Sequence, residues 1–466
     1  MQKTDILLKN TILYAIANFG SKILSFLIVP LYTHYLQPSD LGAYDLIITT
    51  ITLLIPIITF QMSDSIFRWL LEPEQSKENV INVGLKMIAR NSIVATVLFF
   101  VFYLFWHFPQ PAYVYILLIL YTIVPVVQQI ARGMGNNRLY AVSGVILTAL
   151  FLLGNVLFVI LLRWGVSGML LSQVIAYSSV AVILLIWQPY IFKSLCLCAD
   201  HETKRQMIRY SFPLIPNAIS WWAINTANRY IILAFLGATA NGIYAITTKF
   251  PSILQICTSI FYLAWQESAI REATGENSAK FYENVFSGYC RLLFVLTGLL
   301  IPLTRFVVIR FMDAAYVDAW KYSGFLYLGM VFSAFSSFLG TSYQVSKQTK
   351  GALYTTLLAA VVSILFCFVF VNFLGLQAVS LAIFISYLLL FFIRVKDCRK
   401  YVNFRISWLE FFIFFAYTII ITILTYFIPD MHNNWLMVIT LLMAMVLLKN
   451  EWMRFLHMVK IRRVKT

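Results

Sequence analysis

Lys22, Arg229, Lys249 and Arg291 each stand inside a stretch of chain apolar enough to lie in lipid. A bare cation at a bilayer centre costs about 2.5–3.5 kcal/mol on insertion scales, so it calls for a counter-charge or a wet cavity. The chemistry open to such residues is anion binding. Arginine offers a planar fork that grips a phosphate with two hydrogen bonds, and lysine adds a compact charge. The embedded acids read from the sequence are Asp45, Asp64 and Glu267, the last two near cytoplasmic ends. On that count the membrane midplane is net positive. Helical periodicity adds polar neighbours. Asn18, Lys22 and Ser25 fall within about 40° of the direction of Thr11 at the helical turn angle. Asn217, Ser220 and Asn228 share a face, with Asn225 and Arg229 on its edges. Tyr244, Thr248, Gln255, Tyr262 and Gln266 line up on a third stripe, from which Lys249 lies well away. The candidate substrate-binding residues are therefore Lys22, Arg229, Arg291, Asn18, Lys249, Asn225 and Asn228. The competing readings are that Arg229 snorkels to the interface and that the polar stripes merely join helices.

A second constellation is acid and base spaced i,i+4: Asp64 with Arg68, and Glu267 with Arg271. Such pairs are expected as helix-end salt bridges. With Asp45 they are the candidates for a gate or for ion coupling. Cys196, Cys198 and His201 cluster in CLCADH but lack a fourth ligand, so they read as reduced thiols in a loop. No metal and no cofactor is expected.

These residues must be positioned by membrane helices. Of 466 residues 61% are hydrophobic and 12% charged, and the mean hydropathy is +0.81. The net charge of +16 lies between apolar runs, the pattern of membrane loops rather than of nucleic-acid binding. Spans are expected near 11–35, 41–67, 80–106, 112–131, 139–162, 166–192, 207–235, 241–267, 281–304, 321–346, 351–373, 376–393, 407–428 and 435–449, about fourteen in all. Backbone amides in lipid must bond within their own segment, so these are helices. With the N-terminus inside, the outer segments hold Arg163, Arg305, Arg310 and Lys321, and the inner segments hold nearly all other lysines and arginines. Both termini are thus expected in the cytoplasm of a multi-pass protein of the cytoplasmic membrane, with no cleaved signal peptide. The basic tail EWMRFLHMVKIRRVKT is expected on the anionic inner leaflet.

LQPSDLGAY (36–44) recurs as LGATANGIY (236–244), and SDSIFR (63–68) as QESAIR (266–271). The offset implies two six-helix lobes in parallel repeat, residues 1–200 and 201–395. Residues 396–466 add two helices and the tail. Parallel repeats around a midplane site suit alternating access. Pro30, Pro56, Pro125, Pro213, Pro216, Pro251 and Pro302 mark places where spans can bend.

The segments KNTILYAIANFGSKILSFLIVPLYTHYL, LGAYDLIITT, PLIPNAISWWAINTANRYIILAFLGATANGIYAITTKFPSIL and AWKYSGFLYLGMVFSAFSSFLGTSYQVSKQTK resemble the polysaccharide-transporter branch of the multidrug/oligosaccharidyl-lipid/polysaccharide exporter superfamily. The resemblance runs from residue 9 to about 395. It implies two six-helix bundles facing each other across a central cavity. It also implies a flippase that turns undecaprenyl-pyrophosphate-linked oligosaccharide to the outer leaflet for O-antigen or capsule, alongside other polysaccharide assembly proteins. Relatives often carry Asp where this chain has Asn228, so the resemblance implies that Arg229 lacks a partner here and that its surroundings are more positive than usual.

Three rival functions follow from the same residues. A cation-coupled drug exporter would want carboxylates in the first helix, which offers Asn18 and Lys22 instead. A membrane enzyme would want a catalytic outer loop, and the longest one, around 305–320, has no His. A peptidoglycan-precursor flippase would use the same cations and the same lipid pyrophosphate. The expectation is a transporter and not an enzyme.

Overall fold

The computed structural model describes residues 29–72, 75–195, 200–272, 278–345, 349–400 and 405–449. Almost all of these residues are helical, and no strand occurs among them. In chain order the helices are α1 (Val29–Tyr35), α2 (Pro38–Thr59), α3 (Met62–Leu70), α4 (Lys77–Phe105), α5 (Pro111–Gly133), α6 (Asn137–Asn155), α7 (Gly165–Trp187), α8 (Tyr190–Leu195), α9 (His201–Ser211), α10 (Leu214–Thr226) and α11 (Asn228–Lys249). They continue with α12 (Pro251–Glu272), α13 (Ser278–Phe311), α14 (Ser323–Val345), α15 (Thr349–Leu374), α16 (Leu376–Cys398), α17 (Trp408–Phe427) and α18 (Asp430–Leu447).

Eleven stretches among the described residues are long and apolar enough to cross a membrane. The expected span at 11–35 lies mostly outside the described residues. The expected pair 207–235 and 241–267 falls in one apolar stretch, 201–259, and the last expected span is the shorter helix His432–Leu447. Phe105, Phe373, Leu409 and Phe427 turn outward, as lipid-facing side chains should.

Several boundaries differ from the sequence expectation. The expected span 41–67 stops at Thr59, because Phe60 and Gln61 take left-handed backbone angles and restart the chain as α3. The span 207–235 breaks at Ala227, and Gly237 (φ 85°, ψ 177°) interrupts α11. The stripe read over Asn217, Ser220 and Asn228 therefore crosses a break and is not one helix face. The stripe from Tyr244 to Gln266 likewise passes from α11 to α12 at Phe250.

The chain forms two compact units, Met1–Gly242 and Ile243–Thr466. In the first, Met62, Ile66, Val80, Val127, Ile130, Leu184 and Met207 build one core, and Ile51, Leu117, Leu118 and Leu170 a second. In the second unit the core is aromatic. Phe286, Phe335, Phe338, Phe391 and Phe411 pack ring on ring, with centroids 5.2–6.2 Å apart. Lipid tails are as apolar as these rings, so shape complementarity and dispersion hold the helices together, not exclusion of water.

The two matching nonapeptides meet in space within the first unit. A Cβ on Gly42 would lie 2.1 Å from the Ala238 carbonyl oxygen, and one on Gly242 would lie 1.7 Å from that of Pro38. Only glycine allows such backbone contact. The Asn241 amide seals it by donating to the Gly42 carbonyl at 2.8 Å.

Candidate functional site

Three residues of α2 one helical turn apart, Gly42, Asp45 and Thr49, face a run of partners in descending order. Asn241 bonds Gly42, Arg229 bonds Asp45, and the Trp222 indole donates to the Thr49 carbonyl at 3.3 Å. The spacing i, i+3, i+7 is one face of a helix, so α10 and the first part of α11 run antiparallel along α2. Thr50 and Tyr230 join the same seam through their hydroxyls at 2.7 Å.

At the centre of this seam Arg229 is 7% exposed. Its Nε donates to Asp45 Oδ2 at 3.0 Å, and its Nη1 to the Asn225 carbonyl at 2.8 Å. That carbonyl lies in the last turn of α10, where the helix break leaves acceptors without an intrahelical donor. The Asn225 amide bonds the Trp221 carbonyl of its own helix. Asn228 is fully buried beside this pair, and neither atom of its amide has a hydrogen-bond partner among the described residues. A buried amide without partners costs about 1–3 kcal/mol.

Asp45 corrects the expectation that Arg229 is without a partner. The counter-charge comes from another helix, and the Asn at 228 does not leave the arginine bare. The same correction applies in the second unit. Arg291 of α13 forms an ion pair with Glu410 of α17, whose other oxygen accepts from the Ser287 hydroxyl at 2.7 Å. Arg305, fourteen residues further along α13, forms one with Asp430 at the start of α18 and also donates to the carbonyls of Thr425 and Ile428. At 1.5 Å per residue the two arginines are about 21 Å apart, so the last two helices latch α13 near its middle and again toward its C-terminal end. The net-positive midplane read from the sequence does not hold at Arg229 or Arg291. Glu410 lies within the expected span 407–428 and was legible there, although the count of embedded acids omitted it.

The remaining candidates are placed as follows. Asn18 and Lys22 lie outside the described residues. Asp45, Asn225, Asn228 and Arg229 come together in the first unit, whereas Lys249 and Arg291 belong to the second. Lys249 is exposed at the last position of α11. The Asp64–Arg68 pair is not formed. Arg68 turns to Glu72 at 3.4 Å, an exposed i,i+4 pair one turn on. Partial loss of water contact raises the Asp64 carboxyl above its ordinary value, against the pull of the Arg132 guanidinium. Arg132 itself lies over the Phe67 ring at 4.3 Å. Glu267 and Arg271 fall on α12, but their side chains lie outside the described residues.

Sequence reasoning missed two buried cations, Arg305, which it placed in an outer segment, and Arg394. Arg394 was counted with a cytoplasmic segment, but α16 runs on to Cys398 and buries it to 3% exposure. Its donors reach the Ser336 carbonyl at 2.7 Å, the Thr356 hydroxyl at 3.0 Å and the Thr355 hydroxyl at 3.3 Å, all neutral acceptors. Thr355 and Thr356 give no signal in sequence, because their nearness to Arg394 is tertiary. Among the described residues no group of three or more His, Cys, Asp or Glu could hold a metal ion.

A family model described as "Polysaccharide biosynthesis protein" matches residues 7–266. No curated protein sequence matches the chain significantly. Among solved structures, the lipid II flippase MurJ in an inward closed conformation is similar with a TM-score of 0.69 at 14% identity, over 96% of this chain and 100% of that one. A MATE protein in complex with MaL6 is similar with a TM-score of 0.58 at 16% identity, over 84% of this chain and 96% of that one. An outward-facing multidrug resistance MATE family transporter of the MOP superfamily reaches 0.57 at 15% identity, over 84% and 95%. At these identities the likeness is one of fold.

Proposed function

We infer the function from a premise now in hand: the chain belongs to the polysaccharide biosynthesis protein family, whose model matches more than half of it. It is a multi-pass membrane protein of the flippase and transporter kind. Our reading is that it turns undecaprenyl-pyrophosphate-linked oligosaccharide repeat units from the cytoplasmic to the outer leaflet of the bacterial cytoplasmic membrane, for O-antigen or capsule. In this reading both termini are cytoplasmic. Lobes 1–200 and 201–395 rock against each other, and residues 396–466 are an appendage to the second lobe.

The observation that carries the reading is the Arg229–Asp45 pair, buried in a seam of span helices beside the unsatisfied Asn228. An empty carrier cannot leave a cation bare in low dielectric without a cost of several kcal/mol. Asp45 offsets that cost between cycles. An incoming pyrophosphate carries more charge than a carboxylate and more acceptor oxygens. It takes Arg229 from Asp45 by exchange of one anion for another, and Asn228 gains hydrogen-bond partners in the sugar. Arg291 with Glu410 repeats the device in the second unit, and Lys22, Asn18 and Lys249 add to the cationic path. Asp64, Arg68, Glu267 and Arg271 serve the gates. A drug exporter for cations is less well supported, because Asp45 and Glu410 are each tied to an arginine. No enzymatic step is part of this reading.

A peptidoglycan-precursor flippase is the second reading, favoured by the similarity to the MurJ fold over nearly the whole chain. Deletion of the gene separates the two. The first reading expects viable cells that lack a surface polysaccharide and accumulate its lipid-linked unit on the inner leaflet. Complementation with Arg229→Ala at normal protein level should leave that defect uncorrected, and normal surface polysaccharide in that strain would refute the assignment. Lethality with arrested wall synthesis would favour the second reading.

A further inference from the structure

Helix α9 divides into two faces. Thr203, Met207 and Ser211 are buried, and Met207 joins the core built by α3, α4 and α5. The opposite face is basic. His201, Lys204, Arg205 and Arg209, with Ile208 between them, line an open surface hollow of about 600 Å³ along this one helix face. These five positions span about 140° of arc at the helical turn angle. The two acids nearby are engaged along the helix itself. Asp200 caps its start through the Thr203 amide and hydroxyl, and Glu202 accepts from the Gln206 amide at 2.9 Å. No carboxylate lines the hollow. Just beyond, Tyr210 and Phe212 are exposed aromatic rings, the residue type that settles at a membrane interface. The helix leads directly into α10 and α11, which carry Asn225, Asn228 and Arg229.

We propose that this open basic face is a capture site for the diphosphate group of a polyprenyl lipid, where the passenger is held before it enters the translocation path. The proposal rests on the reading above. Three fixed positive charges and a histidine without an opposing acid suit an anion of more than one charge. A bulk phospholipid phosphodiester, with a single charge, would leave most of them unused. The aromatic rings set the depth: they hold α9 at headgroup level, where a lipid diphosphate sits. The charge distribution of the chain assigns this end to the cytoplasmic side.

The test uses the full chain in phosphatidylcholine nanodiscs, with undecaprenyl pyrophosphate or phosphatidylglycerol as the probe. Wild type should prefer undecaprenyl pyrophosphate. The K204Q/R205Q/R209Q variant should bind it at least about tenfold more weakly, as expected when several charge-assisted bonds are lost. The charge-keeping K204R/R205K/R209K variant should bind within about threefold of wild type, since point charge survives better than fork geometry. If the triple glutamine variant fails to fold, R205Q alone should still show a measurable loss. Equal retention of phosphatidylglycerol and undecaprenyl pyrophosphate by wild type would overturn the site in favour of general surface electrostatics. Unchanged binding in the folded glutamine variants would also overturn it. Translocation of a lipid-linked oligosaccharide by wild type in vesicles is scored separately. If wild type translocates but the glutamine variants keep their binding, the site alone falls. If wild type neither binds nor translocates, the reading of the function falls with it.

Discussion

Arg229 in the first unit and Arg394 in the second are both buried cations in span helices, yet their surroundings differ in kind. Arg229 meets a carboxylate on another helix and a carbonyl at a helix break, with an unsatisfied amide beside it. Arg394 donates to carbonyls and hydroxyls of Ser336, Ala352, Thr355 and Thr356, lies over the Tyr343 ring, and joins α14, α15 and α16. A guanidinium has five donors, so neutral acceptors can solvate it inside a bundle as water would outside. The charge on Arg394 is spread over a fixed structural lining. Arg229 instead has a carboxylate among its partners, and in the reading proposed above an incoming anion replaces it. Burial of a cation is therefore not by itself a sign of function, and the kind of partner separates a staple from a site.

The contrast can be broken first at Asp45. Asp45→Asn leaves Arg229 buried without its counter-charge and should cost about 3–5 kcal/mol, the range for splitting a buried pair. Thermal unfolding in detergent would read this as a large fall in midpoint. The double variant Asp45→Asn/Arg229→Gln should recover most of it, and failure to recover would deny that the pair is what stabilises the seam. Next, Arg394→Ala should cost about 2–3 kcal/mol through lost charge-assisted hydrogen bonds. Transport per folded molecule should be unchanged, whereas Arg229→Ala should lower transport more than stability. Loss of turnover in folded Arg394→Ala protein would erase the distinction drawn above. A smaller effect is expected at the half-buried Arg291–Glu410 pair, where Glu410→Gln should cost about 1 kcal/mol and loosen α17 from α13. Faster hydrogen exchange over residues 405–427 would detect it.

The smallest effect is a pH dependence at α9. Hydrogen bonds from Thr203 hold the Asp200 carboxyl below its ordinary value. A lowered carboxyl in the folded state stabilises above the unfolded value, and that stabilisation is lost as pH falls through the folded one. Fraying of α9 should therefore begin only in the acid range below the usual carboxylate value. Asp200→Asn should flatten that dependence in exchange measurements on residues 200–207.

The glycine contact adds a second kind of evidence. The repeat of LQPSDLGAY and LGATANGIY is faint in sequence, with only Leu, Gly and Tyr matching. In space Gly42 and Gly242 lie where any side chain would strike a backbone. Gly recurs at this place because two segments of the chain must pass within backbone contact, and Asn241, which has Leu41 as its counterpart, satisfies the Gly42 carbonyl there.

Composition and spacing alone determined that this chain is helical, lies in lipid and carries costly cations within it, because the penalty for an unbonded amide or a bare charge in hydrocarbon acts on any sequence. The same spacing made Asp45, Arg229, Asn228 and Arg291 stand out. Which acid serves which arginine was decided by tertiary structure. Asp45 and Arg229 are 184 positions apart, and Arg291 and Glu410 are 119 apart. Helix periodicity carries information over a few turns only, so it cannot pair residues that distant. The breaks at Phe60, Ala227 and Gly237 then decided which polar residues share a face, because each one resets the angle from which every later position is counted.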